Sequence, residues 1–407
     1  MNDLLVAFDI GYSKISAAVA RVDGFKQMNV VAVSSVKNYG IKKSVVVDVE
    51  QVVEAIAQCK AKLENLVDSS INDAYISIHG GLCSIQDAKE TVSIVSGSTI
   101  TDKDVEKIMN ITREKASKPE REVVWLLPVQ YSVDQYSGIE DPIGIRGKEL
   151  TLEAKLFTVD SMVVKNLFKC METAGIKVRG IIPEPIALGK LVTTEEHKVS
   201  SIGIVNIGAE STDLSIYEMG RICYTNYIPL GGNSITKDIM SCLSIPYADA
   251  EKVKLKYTQN TVNGDNQIDE KFEDDIQSMY NSGIINEVIE ARVEELITFA
   301  LKEINNKKRL KEFDRIFITG GGIIYYKDII GKFEEELGKP IQIIENNMMG
   351  AGNWIYSVPV GMLKVILDSI KIVRSKDSVP SEENSKNSKK SKKSIFGRLK
   401  NLIDEFI

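Results

Sequence analysis

Residues 5–24 read LVAFDIGYSKISAAVARVDG, and residues 202–220 read IGIVNIGAESTDLSIYEMG. Each is an apolar run, a polar residue followed by Ile-Gly, a short polar turn, a second apolar run and a glycine. Such runs, bounded by glycine and polar residues, predict strands, so each stretch predicts a β-hairpin and the chain uses the same one twice. The turn suits phosphate. Gly11 and Gly208 let the backbone approach an anion, and the N–H groups of a tight turn can point at its oxygens. Ser13, Lys14, Ser211 and Thr212 add side-chain donors. Asp9, at a strand end, is a candidate ligand of Mg2+ through water, because that ion keeps most of its hydration shell. One such turn is commonly only structural; the repetition carries the argument.

A third element is RIFITGGGIIYYKDIIGKF, from Arg315. Phe313 to Thr319 is predicted as a buried strand, with Gly320, Gly321 and Gly322 opening onto a helix. Three glycines would let the backbone lie flat against a nucleobase or ribose.

The order of these elements resembles the actin, Hsp70 and sugar-kinase superfamily: phosphate hairpin, phosphate hairpin, glycine-rich adenosine loop. IIPEPIALGKLV resembles the first connecting helix of that fold, which implies that Glu184 faces the catalytic water and the metal. PLGGNSITKDI, with Gly231, Gly232 and Thr236, resembles the turn and helix after the second hairpin. ADAEKVKLKY resembles the helix that reaches ribose and base, here through Glu251 and Lys254, and YSVPVGMLKVI the second connecting helix, around Gly361.

The region 80–158 forms an insert in the first half. Thr101 with Asp104 predicts a helix start ahead of apolar Val105, Ile108, Met109 and Ile111. LTLEAKLF alternates apolar and polar residues from Leu150 and predicts a half-buried strand. ITDKDVEKIM, LLPVQYSVDQYSGIEDPIGIRG and VVKNLFKCMETAGIKV resemble the bacterial cell-division proteins of the FtsA family, and the resemblance runs from Leu4 to about Ile370. It implies an α/β, actin-like (ribonuclease H-like) duplicated fold. The expected divisions are subdomain 1A at 1–79 and 159–198, an SHS2-like subdomain 1C at 80–158, subdomain 2A at 199–247 and 313–374, subdomain 2B at 248–312, a disordered linker at 375–393 and an amphipathic helix at 394–407.

What the resemblance implies functionally is an ATP- and Mg2+-binding protein that polymerises with itself. It would tether the tubulin-like ring protein FtsZ to the inner face of the cytoplasmic membrane at the division site. The FtsZ C-terminal peptide would dock on subdomain 2B, where VIEARVEELITFAL carries a matching arginine, Arg292. The second hairpin departs from the usual Asp-x-Gly-Gly-Gly-Thr by having Asn206, Ala209 and Glu210, while Asp213 keeps its place. Asn206 can accept a hydrogen bond from metal-bound water but cannot act as a base. With the acidic set reduced to Asp9, Glu184 and Asp213, the expectation is ATP binding with slow ATPase activity at most. Two alternatives from the same superfamily are a scaffold of another membrane machine, such as pilus assembly, and a small-molecule kinase. The second would need a substrate pocket with a catalytic Asp, for which there is no motif.

The tail resumes the resemblance. From Ile395 to Ile407 the apolar residues Ile395, Phe396, Leu399, Leu402, Ile403, Phe406 and Ile407 fall on one side of a helix, an arc of roughly 140°. Ser375 to Ser394, SKDSVPSEENSKNSKKSKKS, has too little apolar surface to offset its ordering entropy and is predicted to be disordered. A tether of ~20 residues spans about 25 Å. Lys386, Lys389, Lys390, Lys392 and Lys393 would suit anionic membrane lipids.

Composition sets outer limits. The net charge of -6 over 407 residues, with no basic stripe outside the tail, argues against nucleic acid as a partner. Cys59, Cys83, Cys170, Cys223 and Cys242 lie far apart without a CxxC and read as reduced cytosolic thiols. His79 and His197 sit in no metal-ligand spacing and read as structural or surface residues. No run reaches 18 apolar residues, and the start MNDLLVAFDIG does not fit a signal peptide, so membrane contact is expected to be peripheral.

Overall fold

A computed structural model describes residues 4–23, 27–95, 98–193, 200–260, 282–344 and 352–376. The chain divides into two compact units, residues 1–187 with 358–407, and residues 188–357. The first division falls inside the helix Glu184–Val192, the second at the start of the helix Ser357–Lys376.

The first unit holds, in chain order, β1 (Leu4–Ile10), β2 (Lys14–Val22), β3 (Met28–Lys37), β4 (Ile41–Lys42), β5 (Val45–Val46) and β6 (Asp73–Ile78). Then follow β7 (Ser84–Ser93), β8 (Arg121–Val133), β9 (Tyr136–Ile139), β10 (Glu149–Asp160) and β11 (Lys177–Pro183). Its main sheet has the order β11-β6-β1-β2-β3, with β1 antiparallel to β2 and parallel to β6. Ala17 to Ala20 on β2 are fully buried, and Val52, Ile56, Cys59 and Leu63 of the helix Val49–Val67 are buried at helical spacing. Asp48 caps that helix, accepting from the Gln51 amide at 3.1 Å.

The second unit holds β12 (Ser201–Ile207), β13 (Thr212–Glu218), β14 (Arg221–Ile228), β15 (Arg315–Thr319) and β16 (Ile341–Ile343). Its sheet has the order β14-β13-β12-β15-β16, again antiparallel, antiparallel, parallel, parallel when read outward from β14. Both units therefore carry the same five-strand topology, so the duplication read in two hairpins extends across each whole sheet. The second core joins Val205, Leu214 and Ile216 of the sheet to Ile235 and Ile239 of the helix Gly232–Leu243 and to Ile289, Val293, Leu296 and Ala300 of the helix Ser282–Lys307.

The insert is an α+β unit with its own core. A four-stranded antiparallel sheet, β7-β10-β8-β9, supports Leu150, Leu152, Ala154 and Leu156, and Ile108 of the helix Asp102–Ala116 packs among them. Thr101 and Asp104 form the helix cap, the Asp104 carboxylate accepting from the Thr101 amide at 2.9 Å. The opposite face is polar, with Lys89–Glu153 and Lys155–Asp87 ion pairs across the strands.

Three boundaries differ from the sequence reading. The strand predicted from Phe313 begins at Arg315, because a 3-10 turn over Leu310–Glu312 places Phe313 in the core ahead of it. The three glycines lead through a turn, and the next helix, Lys327–Leu337, starts only after Tyr326. The helix Ser357–Lys376 runs two residues into the segment expected to be linker. The rest of that linker and the amphipathic helix, from Ile395 to Ile407, lie outside the described residues. All five cysteines are free thiols, as expected.

Candidate functional site

The first hairpin closes with the Gly11 amide donating to the Lys14 carbonyl at 3.0 Å, the second with Gly208 donating to Ser211 at 2.8 Å. Register makes the equivalence exact to the residue: Asp9 pairs with Ser16 and Ile10 with Ile15, while Asn206 pairs with Asp213 and Ile207 with Thr212. The Gly11 and Gly208 amides are thus used in closing their own turns, which leaves residues 12–14 and 209–211 at the two tips. Thr212 is likewise committed: its buried hydroxyl donates to the Leu230 carbonyl at 2.9 Å and holds the loop before the helix Gly232–Leu243.

In the first unit, polar groups gather where parallel strands end. The Ser77 hydroxyl, on β6, donates to Asp9 at 2.7 Å, and Ser16 donates to its other oxygen at 3.3 Å. Burial pushes the Asp9 carboxyl up, against the lowering effects of Ser77, Lys14 and His79. Burial pushes the Lys14 ammonium down to about 8, opposed by the charge of Asp9. Glu184 is a buried carboxylate at the start of its helix, and His79, just after β6, brings a ring nitrogen within 4.8 Å of it. Ser77 and His79 are functional candidates the sequence reading missed. Their signal, ISIHGG at the end of a strand, gains meaning only once β6 pairs with β1.

In the second unit the glycines serve mainly to bring backbones together. Gly320 has φ +100°, and a Cβ there would strike the Ile207 carbonyl. A Cβ on Gly232 would lie 2.9 Å from the Gly322 Cα. The Gly322 amide donates to Ile207 at 2.8 Å and the Gly232 amide to Gly208 at 2.9 Å. The strand end, the hairpin and the next helix therefore meet at one point. Beside it, Lys254 bridges to Glu251 at 2.7 Å and donates to the Thr236 hydroxyl at 2.8 Å, while Thr236 donates to Glu251 at 2.5 Å. The two residues expected at ribose and base are thus held rigidly against the glycine cluster. Arg292 is paired with Asp238, one of its bonds being 3.1 Å long, and with Glu295. It links two helices as well as presenting a partly exposed guanidinium.

The insert, residues 80–158, matches the family model described as "SHS2 domain inserted in FTSA", and residues 203–361 match "Cell division protein FtsA". Together these cover more than half of the chain. The chain belongs to the FtsA family. The FtsA protein of Buchnera aphidicola subsp. Baizongia pistaciae is 29% identical over 334 residues, spanning 79% of this chain and 77% of that protein. The Bacillus subtilis FtsA is 27% identical over 382 residues, spanning 91% and 85%. Among solved structures, the PilM-PilN type IV pilus biogenesis complex matches with a TM-score of 0.60 over 89% of this chain and 98% of that one, at 13% identity, which shows a shared fold. This FtsA-family protein is therefore an actin-like cell-division protein. Among its described residues no helix is long and apolar enough to cross a membrane.

Proposed function

We propose that the chain binds Mg-ATP, polymerises, and tethers the FtsZ ring to the inner face of the cytoplasmic membrane at the division site. The single observation that carries this is the pair of equivalent hairpins, with the same register and turn, on sheets of the same topology. The phosphates would be taken by the tips, with Ser13 and Lys14 on one and Ser211 on the other, beside Gly11 and Gly208. Glu251 and Lys254 would meet the ribose, next to Gly320, Gly321 and Gly322. The donor set suits the metal: Asp9 and Glu184 are hard oxygen ligands, and Asp9 is already oriented by two hydroxyls. Bound Mg-ATP would supply a polarised triphosphate. Around it Lys14 would donate a charge-assisted hydrogen bond, and Asp9, Glu184, Asn206 and Asp213 would hold water. Hydrolysis would be slow, since Asn206 cannot take a proton.

Membrane attachment is assigned to the terminal helix. One such helix binds reversibly, because it buries its face only partly. A filament carrying many binds firmly through effective concentration, so polymerisation switches attachment without a new contact. The test is co-sedimentation of the full-length protein with anionic liposomes and ATP, with and without the FtsZ C-terminal peptide. Phe406→Glu puts a charge in the apolar arc and should abolish pelleting while leaving peptide binding intact. Replacing the five linker lysines with glutamine should give a milder, salt-sensitive loss. A Phe406→Glu protein that pellets as well as the parent refutes the anchor, and a parent that ignores the FtsZ peptide refutes the tether. Arg292→Glu should weaken the peptide and leave pelleting unchanged.

A further inference from the structure

The middle glycine of the third element does not present an open surface. Gly321 is exposed, yet a Cβ built on it would lie 2.5 Å from Cη2, 3.1 Å from Cζ3 and 3.4 Å from Cζ2 of Trp354. The six-membered ring of the indole therefore lies against this glycine. Trp354 opens a 3-10 turn over Trp354–Tyr356, which Asn353 caps by accepting from the Ile355 amide at 3.0 Å. Its ring meets that of Tyr325 edge to face, with centroids 5.9 Å apart and planes at 89°. In contact with both residues, the indole still keeps part of its surface in solvent.

Its place in the unit gives this aromatic a use. Gly321 follows the carboxyl end of β15, the end of a parallel strand where α/β sheets bind ligands. Gly322 packs on Gly232, and Lys254 donates to the Gly232 carbonyl at 3.4 Å. The charged pair expected at ribose and the indole thus border the same glycine cluster. We propose that Trp354 is the residue on which the nucleobase stacks, making it the base-contacting wall of this chain's nucleotide site. The proposal rests on the nucleotide reading above. It replaces a bare glycine platform by an aromatic surface, against which a base gains stacking energy.

The chain has two tryptophans, Trp125 and Trp354, and Trp125 lies on β8 in the insert. In full-length Trp125→Phe protein, indole emission therefore reports Trp354 alone. Titration with Mg-ADP should change that emission, and ribose 5-diphosphate, which has no base, should not. By calorimetry Trp354→Ala should weaken ADP about tenfold or more and leave ribose 5-diphosphate binding unchanged, while Trp354→Phe keeps most of the affinity. ADP binding with no change in emission overturns the proposal and leaves the nucleotide reading standing. Equal losses for ADP and ribose 5-diphosphate assign Trp354 a packing role and also overturn it. No heat of binding for ADP or ATP overturns both. The emission experiment leaves residue 354 intact, so it decides the matter even if the alanine variant fails to fold.

Discussion

The two hairpins are copies in backbone and differ in the placing of their charges. At the second rung from the turn the first carries Asp9 opposite Ser16, and the second carries Asn206 opposite Asp213. Each hairpin thus keeps a single carboxylate there, on the first strand in one copy and on the second strand in the other. With the usual aspartate lost at Asn206, Asp213, which keeps its place, is left as the carboxylate of this rung. The turns differ in the same sense: Lys14 of the first corresponds to Ser211 of the second. Duplication has preserved the frame that presents the turn, while cation and carboxylate have been distributed unequally between the copies.

The largest effect should come from making the first hairpin resemble the second. Asp9→Asn keeps an acceptor for the Ser77 hydroxyl but removes the charge, so the Mg2+-dependent gain in nucleotide affinity should vanish. Calorimetry with Mg2+ and with EDTA checks this; an undiminished gain would move the metal elsewhere. The empty protein should respond in the opposite direction. A carboxyl raised by burial takes up a proton more readily when folded, so its charged form costs stability at neutral pH. Asp9→Asn removes that cost and should raise the melting temperature of the nucleotide-free protein.

Lys14→Met erases the other asymmetry. Loss of a charge-assisted donor should weaken nucleotide about 10- to 100-fold. The empty protein again gains, because burial has lowered the ammonium from 10.5 to about 8. Between those values the unfolded chain keeps a proton that the folded chain has released, so parent stability should rise with pH across that window. Denaturation near pH 8 and near pH 10.5 should show this rise in the parent and not in the variant. A parallel rise in both would assign it to another group.

The frame was legible in the sequence because strand and turn signals are local. LVAFDIG and IGIVNIG announce themselves by apolar runs, and the insert by its capping box and the alternation from Leu150 to Leu156. Other features depend on which strands become neighbours. Ser77 and His79 acquire a role only because β6 lies beside β1, a pairing that no local pattern specifies. The three glycines stand out in the sequence, but only the fold shows that a Cβ at Gly320 or Gly322 would crowd the backbone of Ile207, Gly208 and Gly232. Trp354 carried no signal at all, since its meaning lies in the Gly321 surface it covers. A hydroxyl in a turn reads the same in sequence whether it faces an anion or a carbonyl, and the Thr212 hydroxyl donates to the Leu230 carbonyl.

The smallest effect is the sharpest probe of the comparison. Asn206→Asp places a second carboxylate directly opposite Asp213, and like charges facing each other across an antiparallel ladder destabilise by roughly 0.2–1 kcal/mol. The single variant should therefore melt slightly lower than the parent at neutral pH. Asp213→Ser added to it rebuilds the pattern of the first hairpin on the second and should recover the lost stability, so the two substitutions should be non-additive. Phosphate release should distinguish position from charge count. If the place of the carboxylate limits turnover, the Asn206→Asp/Asp213→Ser double variant should hydrolyse ATP faster than the parent, although both carry one carboxylate at this rung. Equal rates in parent, single and double variants would show that the missing carboxylate at position 206 does not limit hydrolysis. Additive melting shifts would show that the two positions do not interact across the ladder.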